Sequence, residues 1–298
     1  MRGRPGRADS GRSARRPRPA RPGGGVSVIR SRRAVAGLVL LASVFALVFG
    51  GPLVSPWTWD DTDFAAFRAG PSAQHWLGTT ESGRDVFALT LRGARTSLLI
   101  GLAVAVISTA VAAVVGTVAG YAGRRLDRTL MWGVDLLLVL PPFLIVALLA
   151  PRLDGGAPVL VPLLAAFMWL ITARMVRAMT ASLRDREYVL AARFLGAGAP
   201  RVIVRHVLPQ LASLLVVDAS LNVSVAIVAE SGLSYLGLGV RPPDVSLGTL
   251  IADGHGAVAA YPWPFGFAAG LLVVIVLAVN LLGDGLRDVL DPASGGAR

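Results

Sequence analysis

Lysine and cysteine are both absent from the 298-residue chain, and histidine occurs only three times. All 29 basic residues are therefore arginine. A P-loop needs a lysine on the nucleotide phosphates and a Schiff-base enzyme needs a lysine amine, so neither chemistry resides in this chain. If ATP drives its activity, another chain binds the nucleotide. Without cysteine there are no disulfides, thiolate nucleophiles or cysteine metal ligands, an absence that says nothing about compartment. Charge is also scarce: 16% of residues are charged and 54% are apolar, which is too greasy for a soluble domain of this length. The chain belongs in a bilayer.

Six runs are long and apolar enough to approach the roughly 20 residues that a helical crossing requires. They lie near 34–54, 98–120, 130–150, 157–173, 210–229 and 265–283. The first lacks a convincing small-residue cleavage site at Gly50-Gly51-Pro52 and reads as an uncleaved anchor rather than a signal peptide. The predicted fold class is an all-α polytopic membrane protein with six transmembrane helices. Residues 1–33 precede them with eleven arginines, one aspartate and little apolar content, the composition of a disordered tail. That tail holds most of the net charge of +11, so the charge reads as topogenic or lipid-facing rather than as a nucleic-acid arm.

Arginine placement orients the spans. With the tail in the cytoplasm, the inside segments 1–33, 121–129 and 174–209 carry net +10, +2 and +5. The outside segments 55–97, 151–156 and 230–264 carry −1, 0 and −2. The C-terminal tail alone dissents at −1. Both termini are thus expected inside. The long outside segment 55–97 contains Trp57, Trp59 and Trp76, rings suited to a membrane interface, followed by an amphipathic stretch from Val86 to Leu99. The segment 230–264 is rich in glycine and proline.

Residues 184–209 are arginine-rich yet patterned like a folded helix pair. Val189, Ala192 and Leu195, with Leu190 and Phe194, recur at helical spacing; Gly196 and Gly198 provide a stop, and Pro200 suits a first helical turn. Periodicity alone fits either a surface that docks a partner or an amphipathic helix lying on lipid headgroups. The stretch from Glu187 through Ala191, Ala192 and Gly196 to Leu208-Pro209 resembles the cytoplasmic coupling loop of binding-protein-dependent ABC importer permeases. Four further stretches resemble one branch, the second (C-type) permease of dipeptide, oligopeptide and nickel importers. They are Leu77 to Val86 with its Gly83-Arg84-Asp85 core, Arg92 to Leu98, Asp135 to Pro141, and Leu233 to Pro243. The ordered set covers about residues 75–285. The sequence departs from the pattern at Leu190, where the family triplet begins with glutamate, at Thr80, where an acid is common, and at Leu247, where an aromatic is usual.

The resemblance implies a type I importer permease architecture, with a core over 98–285, a coupling region at 184–209 and a tail at 286–298. It implies a transported peptide or related small solute, with a nickel chelate as another option. It implies a homologous permease partner, two cytoplasmic ATPase subunits or domains that use ATP-Mg, an extracytoplasmic solute-binding protein, and residence in a bacterial-type cell membrane. No cofactor or metal is expected on this chain. Glu187, Ala191, Ala192, Gly196, Leu208 and Pro209 are the candidate ATPase-coupling residues.

Two acids fall within the apolar runs. Asp135 lies close to a span end, where interfacial placement or pairing with Arg128 accounts for it. Asp218 lies deeper, with Asn222 four residues later on the same helical face; this pair is the candidate wall of the translocation path or permease interface. His75, His206 and His255 fall in different segments and do not suggest one catalytic set. Arg84 beside Asp85 reads as a local salt bridge or cap, and Asp60, Asp61 and Asp63 as solvated surface rather than a cation site. A secondary, ion-coupled transporter is the alternative class, but it would show more buried charge and an internal repeat.

Overall fold

The computed structural model describes residues 32–153 and 155–290. Ten α-helices follow in order: α1 Arg32–Val54, α2 Val86–Ala122, α3 Arg124–Val139, α4 Pro142–Leu149, α5 Ala157–Arg184, α6 Glu187–Phe194, α7 Ala199–Val202, α8 Leu208–Tyr235, α9 Leu247–His255 and α10 Pro262–Leu290. A short 3₁₀ turn follows α4, and a π-helical turn, Ile203–Val207, joins α7 to α8. Among the described residues, extended pairing is limited to an isolated bridge between Thr79 and Asp85. Five helical stretches are long and apolar enough to cross a membrane, or six if α3 and α4 count as one broken span. The chain is a multi-pass membrane protein. Residues 1–31 of the arginine-rich tail lie outside the described residues, and Arg32 and Arg33 open α1.

The helices outrun the apolar windows that announce them. Helix α2 spans 37 residues, about 55 Å of rise, and so projects beyond a hydrocarbon core of about 30 Å. Its start is fixed by Asp85, whose carboxylate accepts the Ala88 backbone N–H at 2.8 Å and satisfies an orphan donor. Its end is set at Gly123, with φ of 63°. Helix α5 continues eleven residues past the apolar run ending at 173 because its arginines pair with α3.

The run at 130–150 is not one straight helix. Helices α3 and α4 meet at 75°, and the break falls at Leu140-Pro141-Pro142. Proline removes a helical N–H and pushes the preceding residue out of the α region; Leu140 and Pro141 accordingly take extended ψ values of 137° and 105°.

Helix α2 is the central post. At one end Leu98, Ile227, Leu247 and Ile275 gather α2, α8, α9 and α10. Nearby, Ile100 and Val104 of α2 pack with Leu160 and Leu164 of α5 and Leu233 of α8. Along the α2–α5 contact, a Cβ added at Gly120 would lie 2.5 Å from the Arg177 carbonyl oxygen, so only glycine lets the backbones approach this closely. Leu38, Val106, Ile171 and Val273 on four helices remain exposed on the outside of the bundle, as lipid-facing positions require.

Candidate functional site

At the end of the bundle where α2 finishes, α5 leads through Asp185 and Arg186 into α6, which runs from Glu187 to Phe194. The chain then turns at Gly196, with φ of 85°, while the Ala197 N–H donates to the Ala192 carbonyl at 3.0 Å. A side chain added at Gly196 meets open space, but the left-handed backbone is strained for any other residue. Gly196 therefore shapes the turn as well as keeping the surface small. Helix α7, the π turn and α8 carry the chain back. Pro209 lacks an N–H, and the widened turn before it takes up the break in the ladder, with Leu208 N–H donating to the Ile203 carbonyl.

The apolar periodicity of α6 divides differently from the sequence pattern. Val189 is fully buried, as are Val202 and Val207 on the return, and Val207 joins Val176 and Leu211 in a small core. Phe194 and Leu195, by contrast, are both 89% exposed, and Tyr188 and Val204 of the same region are exposed as well. Glu187, Ala191, Gly196 and Pro209 are also exposed, while Leu190, Ala192 and Leu208 are half-buried. The result is a rigidly seated helix carrying an apolar ridge and small neighbours. The ridge residues were visible in the sequence only as part of an apolar face, because nothing local distinguishes a helix position turned inward from one turned out.

Midway along the bundle, Asp218 of α8 is half-buried and accepts from the Thr172 hydroxyl of α5 at 2.8 Å and from Asn222 Nδ2 at 2.9 Å. Its partners are neutral. Asp135 of α3 pairs with Arg174 of α5 rather than with Arg128. The expectation of an Arg128 partner was too local: Arg174 comes from the neighbouring helix. Three residues on, just under one turn of the same helix, Arg177 makes a two-pronged contact with Asp127, Nε at 2.8 Å and Nη2 at 2.5 Å.

At the opposite end, the Leu77 to Val86 stretch folds against the start of α2. Gly83 adopts φ of 74° beneath the Asp63 carbonyl. Asp85 has two tasks, capping α2 and holding His75, whose Nδ1 lies 2.9 Å from its Oδ2. His75 is buried, stacks on Trp57 at 4.7 Å, and brings Nε2 within 3.4 Å of Asp63 Oδ2. Arg84 does not pair with Asp85 and instead lines a cavity of about 250 Å³ with Glu81 and Asp253. The three histidines stay apart. Asp60 accepts the Thr58 hydroxyl, and Asp61 and Asp63 accept backbone N–H groups of Thr58 and Ala65. Those backbone hydrogen bonds hold the Asp61 and Asp63 carboxyls below the usual range, with His75 a further cause for Asp63. Among the described residues, no group of three or more potential ligands is placed to hold a metal.

Near this end Glu230 of α8 is fully buried. It accepts hydroxyls from Ser97 of α2 at 2.7 Å and Ser234 at 2.6 Å; Ser97 Oγ in turn accepts the Leu247 N–H at 3.2 Å, joining α2, α8 and α9. This network escaped the sequence reading, since Ser97 and Glu230 are 133 residues apart.

Comparison with known proteins fits this helical architecture. Residues 112–295 match the family described as binding-protein-dependent transport system inner membrane component. The oligopeptide transport system permease protein OppC of Mycobacterium tuberculosis is 54% identical over 272 residues, covering 91% of this chain and 94% of that protein. The Bacillus subtilis protein of the same name is 36% identical over 262 residues, covering 88% and 86%. The match spans more than half of the chain, the relatives cover nearly all of it, and the Asp135 to Pro141, Glu187 to Pro209 and Leu233 to Pro243 stretches lie within the matched residues: the chain belongs to the binding-protein-dependent transport system inner membrane component family, as an ABC importer permease.

Proposed function

We propose that the chain is the membrane-spanning permease subunit of an ATP-driven peptide importer, working beside a homologous permease, two cytoplasmic ATPase subunits and an extracytoplasmic solute-binding protein. The names of its relatives favour peptides as the solute. In this reading the arginine-rich end, with α6, faces the cytoplasm, and residues 55–85 with α9 face outward.

The observation that carries the coupling role is the Phe194–Leu195 ridge. Two large apolar side chains, each 89% exposed, stand on a helix whose Val189 is locked into the bundle. Such a ridge is unfavourable in water and suits insertion into a partner's groove. Glu187, Ala191, Ala192 and Gly196 border it, and the Leu208-Pro209 junction transmits its movement to α8. Closure of the ATPases would drive α6 and rock α5 and α8 together. Asp218 and Asn222 belong to the path wall or permease interface, since a half-buried acid at bilayer depth is costly against lipid. This chain binds no cofactor; ATP-Mg is used by its partner.

The test is co-purification of the ATPases with the full chain from membranes. The F194D/L195D double variant is expected to fold and insert but to lose the ATPases. Wild-type recovery of the ATPases by that variant overturns the docking role.

A further inference from the structure

The cavity at the end opposite α6 has a mixed set of charges that the coupling mechanism does not use. It is formed by residues 79–84, the first turns of α2, α9 and the start of α10. Arg68 is committed: its Nη2 lies 2.6 Å from Glu81 Oε2, and its guanidinium sits 5.2 Å from the centre of the Tyr261 ring. Arg84 is half-buried, and neither its guanidinium nor the Asp253 carboxylate has a hydrogen-bond or ion-pair partner among the described residues. Thr90 also lines the cavity, 4% exposed, with a hydroxyl that no group of the described chain satisfies. The cavity thus holds one uncommitted cation and one uncommitted anion within a partly walled space.

Asp253 is exposed to the cavity, yet the surrounding walls, and then the nearby Glu81 charge, push its carboxyl above the ordinary range. A carboxylate set against another carboxylate is relieved by a cation. A carboxylate ligand is the natural complement of an arginine fork. At about 250 Å³ the cavity falls below the size of sites that enclose drug-sized ligands, so it fits a ligand of one or two residues, or the end of a longer one.

We propose that this cavity is a binding site for a short zwitterionic peptide, with the ammonium directed to Asp253 and the carboxylate to Arg84. The site lies on the permease itself, apart from the ATPase-docking surface and from Asp218. The inference rests on peptides being the solute. Direct binding and uptake separate the two readings: if cells need the chain for peptide uptake but the purified chain binds no dipeptide, the cavity assignment fails while the transport reading stands. If the chain supports no peptide uptake, the transport reading fails whatever the cavity binds.

The experiment is saturation-transfer NMR on the full chain in lipid nanodiscs, using Ala-Ala, N-acetyl-Ala-Ala and Ala-Ala amide. Saturable Ala-Ala binding is expected. Either blocked end, or D253N or R84Q with free Ala-Ala, should weaken it by at least about tenfold, the loss of one charge-assisted contact. The blocked peptides make the test independent of how the variants fold. Equal binding of free and blocked peptides, or no saturable signal from Ala-Ala, overturns the proposal.

Discussion

Thr172 of α5 donates its hydroxyl to the Asp218 carboxylate of α8 at 2.8 Å, and the same oxygen accepts Asn222 at 2.9 Å. The acid is held by neutral donors from two helices that the coupling reading requires to move together. Replacing Asp218 with leucine orphans both donors, at about 1–3 kcal/mol each where no water reaches them. Asp218→Asn keeps an acceptor oxygen and is expected to fold close to wild type. Peptide uptake in the leucine variant should fall well below that of the asparagine variant at equal membrane abundance; equal uptake would remove Asp218 from the transport machinery.

Glu230 supports a different joint. Its two oxygens accept from Ser97 and Ser234, and at 3.4 Å from Ser231, so Glu230→Ala strands these hydroxyls and opens space between α2 and α8. A loss of about 2 kcal/mol or more is expected. Glu230→Gln should be milder, because its amide offers one acceptor and one donor group and a serine hydroxyl can turn to accept. Thermal unfolding in a fixed detergent checks the order; alanine more stable than glutamine contradicts it.

Close backbone approach gives a third expectation. At Gly120 a new Cβ would press on the Arg177 carbonyl, whereas at Gly133 it meets nothing within 4 Å. Gly120→Val is therefore expected to destabilise by about 1–3 kcal/mol through overpacking, and Gly133→Ala to be neutral or slightly stabilising. Both glycines are helical, so Gly120→Ala beside Gly133→Ala, which carry the same gain in helix propensity, isolates the tertiary contact: a higher unfolding temperature for Gly120→Ala than for Gly133→Ala contradicts the close approach.

That contrast also marks what could be read from the chain beforehand. The apolar centres of the spans were legible because a helix crossing lipid needs an unbroken apolar run. Their ends were not: α5 reaches Arg184 because Arg174 and Arg177 find acids on α3, and α2 begins at Val86 because Asp85 caps it. Hydropathy treats those same residues as interruptions. Pro141-Pro142 was in plain view, yet the run around it is apolar enough to mask a 75° break. In the coupling region the helices and turn were legible from Gly196 and Pro200, but Val189 and Phe194, about 140° apart around α6, are both apolar, and which of the two sides turns inward is set by what α5 and α8 present to them. The His75–Asp85 contact was hidden because it joins a loop residue to a helix cap.

Asp253 supplies a prediction with opposite signs on one group. Its folded-state carboxyl is pushed above the ordinary 3.8 by partial desolvation against the cavity walls and then by Glu81. The folded chain therefore holds this proton more tightly than the unfolded chain does. Its contribution to stability falls as pH rises from the ordinary value to the raised one, and the full penalty persists at neutral pH. Ammonium binding needs the carboxylate and so behaves in the other sense, declining as pH falls through the raised value. Asp253→Asn should flatten the stability profile across that window and leave the chain as stable as wild type or slightly more so at neutral pH, while dipeptide binding drops. A residue kept only for structure would give the reverse, a loss of stability on replacement with no change in binding. Parallel unfolding and dipeptide titrations of wild type and D253N, from pH 4 upward, decide between the two.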